Sequence, residues 1–174
     1  MPGVELSEAG RSQAAALAEA LAARPIAAVV TSPLERAQQT AVPIAARLGL
    51  VPLIDPGLNE IDFGHWTGLA FAELAGRPEW DAWNRARSFA ACPGGESMVA
   101  AQARALATIG VLRAGYPEAE LVLVSHQDVL KSVLAHFLGV PLDLFGRFAW
   151  DPAHRSVLQL GAAEVFITGV NVPP

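Results

Sequence analysis

Apolar residues along the chain alternate between spaced stripes and short continuous runs, which is the signature of helices interleaved with buried strands. Ser7 caps a first helix whose stripe is Ala14, Leu17, Ala18 and Leu21 and which stops at Pro25. Ile26–Thr31 is an apolar run rich in β-branched residues and predicts a buried strand. Ser32-Pro33 then opens a helix, with Ser32 as cap and Pro33 at the first helical position, ending near Gly49. Leu50–Ile54 predicts a second strand, closed by Asp55-Pro56-Gly57. Leu58 to Gly68 has no periodicity, and a short helix is expected around Phe71–Leu74 before Gly76 and Pro78 break it. Ser97, after Pro93-Gly94-Gly95, caps a long Ala-rich helix running to about Gly115. Leu121–Val124 is a third buried strand, Asp128–Leu138 a further helix, and Ser156–Thr168 an edge hairpin joined at Gly161. Strands alternating with helices predict an α/β domain of three layers, α/β/α, with a mostly parallel sheet. No linker or repeat divides residues 1–174, so one domain is expected.

Net charge is −5, which argues against a general grip on nucleic acid, although it leaves room for one basic cleft. The single cysteine, Cys92, excludes an intrachain disulfide and a cysteine zinc cage, and the four histidines show no paired metal-ligand spacing. No run of about 18 apolar residues escapes Pro or charge, so no membrane span is expected. The N-terminus has no basic region followed by an apolar run, and a cytoplasmic location is the default.

Two predicted strand ends carry unusual cargo. Arg36 falls in the first turn of its helix, where a cation opposes the macrodipole. An oxyanion held jointly by the helix N–H groups and the guanidinium would explain it, and a surface arginine pairing with Glu35 is the equally weighted alternative. His126 leaves the third strand at a helix start, where a protonated imidazole would supply charge to an anion. A hydrogen-bonded loop histidine is the bland alternative. Glu60 is the candidate proton donor, because a carboxyl crowded by other acids or a phosphate has a raised pKa. Asp62 reads as a loop-capping carboxylate, His65 and Trp66 as packing or pocket-lining residues, and His136 and His154 as structural. Trp66, Trp80, Trp83 and Phe89 are candidates for an apolar wall over the pocket, although tryptophans at helical spacing are more often core.

Taken in order, Leu6 to Ala14, the Thr31-Ser32-Pro33-Leu34-Glu35-Arg36-Ala37 stretch running on to Ala41, Leu58 to Gly68, Pro93-Gly94-Gly95-Glu96-Ser97 and Val124-Ser125-His126 resemble the histidine phosphatase superfamily, in its phosphoglycerate-mutase-like branch. The resemblance implies a metal- and cofactor-free phosphate site. In it Arg36, Ser32, His126 and Gln127 bind the phosphoryl group of a small phosphorylated metabolite or inorganic phosphate. Glu60 and His126 are the implied catalytic residues, and the region around Ser97 lines the substrate entrance. It also implies a gap. The family's nucleophile is a histidine in an Arg-His-Gly motif ending a first strand, with a second phosphate-binding arginine beside it. This chain has no histidine before His65 and begins in what resembles the loop after that motif. Gln127 stands where the family usually has glycine, and is expected to crowd the pocket or alter the backbone angle of His126.

Without the nucleophile the chain is expected to hold a phosphate yet turn over negligibly. The resemblance places the missing strand in the sheet between Ile26–Thr31 and Leu121–Val124, so these strands either close onto each other or take a partner, with a homodimer as one outcome. Three readings compete. They are a phosphomonoesterase whose start is assigned too late, a non-enzymatic phosphometabolite-binding module, and a mutase, which the short Gly68–Gly95 region disfavours. A serine hydrolase is disfavoured by the lack of a Gly-x-Ser-x-Gly elbow.

Overall fold

A computed structural model describes residues 3–162 and 164–174. Six helices, α1 (Glu8–Leu21), α2 (Glu35–Arg47), α3 (Phe71–Leu74), α4 (Pro78–Arg85), α5 (Met98–Gly115) and α6 (Gln127–Leu138), alternate with strands β1 (Ile26–Thr31), β2 (Leu53–Ile54) and β3 (Glu120–Val124). A hairpin of β4 (Arg155–Leu160) and β5 (Val165–Val172) follows. The expected α/β architecture is therefore present. Local chemistry accounts for the helix starts: the Ser7 hydroxyl accepts from Gly10 N–H and that of Ser97 from Ala100 N–H, each satisfying an orphan donor of the first turn. The second strand is shorter than expected, two residues against Leu50–Ile54, and both are exposed.

The parallel sheet has the order β2-β1-β3, and the β4–β5 hairpin is a separate antiparallel pair. Val29 lies opposite Val122, Val30 opposite Leu123 and Thr31 opposite Val124. Of the outcomes left open for these two strands, direct closure is the one observed: they bond to each other, so no gap between them gives a reason to recruit a partner. The sheet instead ends at β3 among the described residues, and that strand, apolar as a central strand would be, is half-buried over Glu120–Leu123 while Val29 and Val30 of β1 are fully buried.

One core cluster joins α1 and α2 to the sheet through Leu17, Leu21, Ile26, Val29, Ile44 and Val124. The other lies among α4, α5 and α6 and includes Trp66, Trp83, Met98, Val129 and Phe145. Trp66 and Trp83 are buried in that core and meet edge to face with centroids 6.1 Å apart. Of the two readings of these aromatics, the core one holds for Trp66 and Trp83, and Phe89 projects into solvent. No helix among the described residues is long and apolar enough to cross a membrane.

Candidate active site

Because Thr31 and Val124 stand abreast, the segments leaving β1 and β3 emerge side by side at the carboxyl edge of the sheet, where open α/β sheets bind ligands. Ser32 N–H continues the ladder by donating to Val124 C=O at 2.9 Å. Ser32 is fully buried, and its hydroxyl lies 2.7 Å from His126 Nε2 while accepting from Leu34 N–H at 3.2 Å. The expected helix cap is thus displaced. Leu34 is the residue before α2, without a side-chain cap, and Ser32 spends its oxygen on the turn and the imidazole instead.

Arg36 occupies the first turn of α2 and His126 the position before α6. Both reach the same atom: Arg36 Nη2 and His126 Nδ1 each lie 3.7 Å from Glu60 Oε2. The two cation-forming groups are therefore separated by no more than twice that distance, a span that a tetrahedral oxyanion with two hydrogen bonds of about 2.8 Å can bridge. Glu60 sits on the irregular segment after the turn Pro56–Leu58, with Oε1 accepting from Ile61 N–H at 3.0 Å. Asn59 was not foreseen: its Oδ1 takes Glu60 N–H at 3.0 Å and faces the Ser32 hydroxyl at 3.4 Å. Ser125 was also missed, and its hydroxyl donates to Leu58 C=O at 2.7 Å, tying the Glu60 segment to the end of β3.

Burial drives both titrating groups toward neutrality. Glu60 is held above the ordinary carboxyl value, chiefly by desolvation with the nearby Asp128 charge adding, against the pull of Ile61 N–H and Arg36. His126 is pushed down to about 3, chiefly by desolvation and then by the Arg36 and Arg104 charges. This corrects the expected protonated imidazole: in the anion-free protein the ring is neutral at neutral pH. A ring accepting the Ser32 hydroxyl at Nε2 carries its proton on Nδ1, the atom that faces Glu60.

Gln127, the first residue of α6, sends its amide away from this group to donate to Trp150 C=O at 2.7 Å. His126 has φ −115° and ψ 154°, ordinary extended values, so the side chain that replaces a glycine imposes no backbone strain there. Asp62 is exposed and caps Gly64 N–H at 2.9 Å, as its reading as a loop cap predicts. His65 and His136 are exposed, and His154 lies in its turn with Nδ1 3.1 Å from Pro152 C=O. Ser32, His126 and Glu60 line up in the order of a hydrolase triad, yet Ser32 has no solvent access from which to attack a substrate. Among the described residues no group of three or more His, Cys, Asp or Glu comes together to hold a metal.

A cleft of about 660 Å³ opens beside Asn59 and Glu60, walled by Gly94–Ser97 and by Arg104 of α5. Arg104 is the largest omission of the sequence reading. It donates to Gly57 C=O at 2.8 Å, to Glu60 C=O at 3.1 Å and, at 2.8 and 3.0 Å, to both oxygens of Glu96. An arginine in mid-helix gives no sequence signal of such a role.

The chain is 39% identical over 169 residues to a bifunctional protein of Mycobacterium tuberculosis, a match covering 95% of this chain and 45% of that protein. It therefore spans about half the length of the first curated relatives it matches. It is 38% identical to the glucosyl-3-phosphoglycerate phosphatase of M. tuberculosis over 79% of this chain and 66% of that one. It is 29% identical to phosphoserine phosphatase 1 of Hydrogenobacter thermophilus over 97% and 81%. Among solved structures, a mycobacterial glucosyl-3-phosphoglycerate phosphatase in complex with inorganic phosphate superposes with a TM-score of 0.87 at 32% identity, covering 99% of this chain and 91% of that one. Bacillus stearothermophilus YhfR gives 0.90 at 26% identity, covering 97% and 85%. With the model of the histidine phosphatase superfamily (branch 1) matching residues 1–173, the chain belongs to that superfamily.

Proposed function

We propose that this domain binds the phosphoryl group of small phosphate monoesters at the carboxyl edge of its sheet. Arg36 grips the anion, His126 donates to it while held by Ser32, and Glu60 exchanges a proton with the ester oxygen. The single observation that supports this most is the convergence of Arg36 and His126 on one Glu60 oxygen at equal distance. One related solved structure is a complex with inorganic phosphate, and another is a complex with vanadate. Burial shifts Glu60 toward its protonated form, the form a general acid needs. The first N–H groups of α6, beginning at Gln127, supply further donors toward an anion beside His126.

Turnover by a phosphohistidine route needs a nucleophilic ring facing the anion in line. Of the four histidines, three lie outside the cluster and the fourth, His126, is fixed by Ser32. On this reading residues 1–174 form a phosphate-binding domain, and little turnover is expected of them by themselves, as of a phosphometabolite-binding module. Thermal denaturation with and without phosphate tests the binding, and release of a chromogenic phenol from its phosphate ester tests the turnover. Phosphate should raise the melting temperature of the native chain and leave Arg36→Ala unmoved. Equal stabilisation of both would remove the site, and multiple turnovers at rates usual for phosphatases would refute the inactivity.

A further inference from the structure

We infer that Arg104 is a positioning residue for Glu60: anchored by Glu96, its guanidinium ties the carbonyls of Gly57 and Glu60 to α5 and so fixes where the Glu60 carboxyl meets Arg36 and His126. The inference rests on the anion-site reading above, and concerns how that site is held in place.

All the strong donors of the guanidinium are directed at the Glu60 segment or at its own anchor, a fork geometry that a lysine cannot reproduce. The segment has little freedom on either side of these bonds. Ser125 holds Leu58 C=O from the sheet, and Leu58 and Ile61 are buried. A Cβ on Gly57 would fall 2.0 Å from Thr108 Oγ1, so the turn lies directly on α5 four residues beyond Arg104. On the far side, Glu96 N–H donates to Asp62 C=O at 2.8 Å, and a Cβ on Gly95 would come within 2.3 Å of that same carbonyl oxygen. The Pro93–Ser97 loop and the Glu60 segment are thus packed backbone to backbone, with the Arg104–Glu96 pair as the polar clamp between them. Because Glu60 Oε1 is bonded to the next N–H of its own backbone, a shift of that backbone carries the carboxyl with it.

Arg36 on α2, Asp128 on α6 and the titratable ring of His126 after β3 are the groups beside this carboxyl, while Arg104 and Glu96 hold its backbone segment. Simple loss of the Arg104 charge would raise a neighbouring carboxyl. Loss of the positioning would return Glu60 to water and lower its titration toward the ordinary value of about 4.3. The two effects have opposite signs.

The test is the carboxyl ¹³C titration of Glu60, assigned through Glu60→Gln, in the full chain without added anion and in the variants Arg104→Ala, Arg104→Lys and Glu96→Gln. The expected result is a titration midpoint that falls in Arg104→Ala, with Arg104→Lys and Glu96→Gln falling less. Sulfate, which does not itself titrate here, serves as the anion probe. Its affinity for the native chain should fall as pH rises through the Glu60 titration, and the part of that fall due to Glu60 should shrink in Arg104→Ala. A folded Arg104 variant whose Glu60 titration is unmoved or raised overturns the inference, even where its melting temperature has dropped. Should Arg104→Ala not fold, the lysine and Glu96 variants carry the same comparison. Failure of the native chain to bind sulfate while the titration still falls in the variants would instead sink the anion-site reading and leave the role of Arg104 standing.

Discussion

Ser32 and Ser132 are both fully buried serines, and replacing each by alanine should have very different consequences. The Ser32 hydroxyl serves His126 Nε2 and Leu34 N–H, two polar groups with no access to water once it is gone. His126 is 6% exposed, so its ring nitrogen cannot recover the bond from solvent. Each buried polar group left unsatisfied costs about 1–3 kcal/mol, which puts Ser32→Ala at about 2–6 kcal/mol. At about 2–4 °C per kcal/mol for a domain of this size, that corresponds to a melting-temperature drop of about 4–24 °C. The Ser132 hydroxyl only donates to Val129 C=O at 2.7 Å, within α6, and its removal leaves no donor stranded. Ser132→Ala should therefore cost about 1 kcal/mol or less. Urea unfolding at neutral pH, with equal m-values as the check on two-state behaviour, measures both. Similar losses from the two substitutions would refute the reasoning, since it would mean that the Ser32–His126 bond satisfies nothing the fold depends on.

Cys92 is 2% exposed and its thiol is pushed up to about 12 by desolvation, so the native protein should not react with a disulfide reagent at pH 8, and reaction should appear only in denaturant. Arg87 pairs with Asp128 at 2.8 Å and lies 4.5 Å over Trp83 and 4.7 Å over Phe145; Arg87→Ala should cost about 1–3 kcal/mol in urea unfolding, and Arg87→Lys should recover little because an ammonium neither forks nor stacks. The stability of the whole chain should fall as pH drops from 6.5 toward 3, because unfolded His126 takes up a proton that the native ring refuses. His126→Gln should flatten that limb of a urea-midpoint profile. Glu60 acts with the opposite sign: its raised value means the native state holds the proton longer, so its contribution is lost as pH rises above 4.5, and Glu60→Gln should gain stability at neutral pH.

What the sequence made legible was whatever short-range chemistry decides. Ser7 and Ser97 read as caps because each hydroxyl meets an N–H three residues on, and Ile26–Thr31 reads as a buried strand because its own residues require it. Arg36, Glu60 and His126 were legible as a group through the motifs around them, and they do come together. Strand order was not legible, since parallel strands are joined by helices and carry no local mark of their neighbours; the direct β1–β3 pairing emerges only from tertiary structure. The neutral state of His126 was hidden for the same reason. Its identity suggests a charge near pH 7, and only the burial supplied by residues far away in the chain removes it. Ser32 shows how a correct local rule can lose. Ser-Pro predicted a helix cap, and the imidazole across the sheet edge claimed the hydroxyl instead. Arg104 left no trace at all, because its partners are backbone carbonyls more than forty residues away.

The protonation preferences of Glu60 and His126 bear on how the proposed site would work with an anion bound. Burial favours the neutral forms of both Glu60 and His126, and Arg36 opposes a second positive charge on the imidazole. A phosphate dianion seated between Arg36 and His126 reverses the electrostatic influence on the ring: it attracts the imidazolium and repels the carboxylate. On the proposed anion-site reading both shifts would retain protons, one on His126 and one on Glu60, each beside the bound anion. The protein thus need not hold an unpaired buried imidazolium while waiting, which would cost it stability. On that reading the bound anion would supply the charge that favours the imidazolium, while the fold contributes the Arg36 guanidinium, the His126 ring and the Glu60 carboxyl side by side.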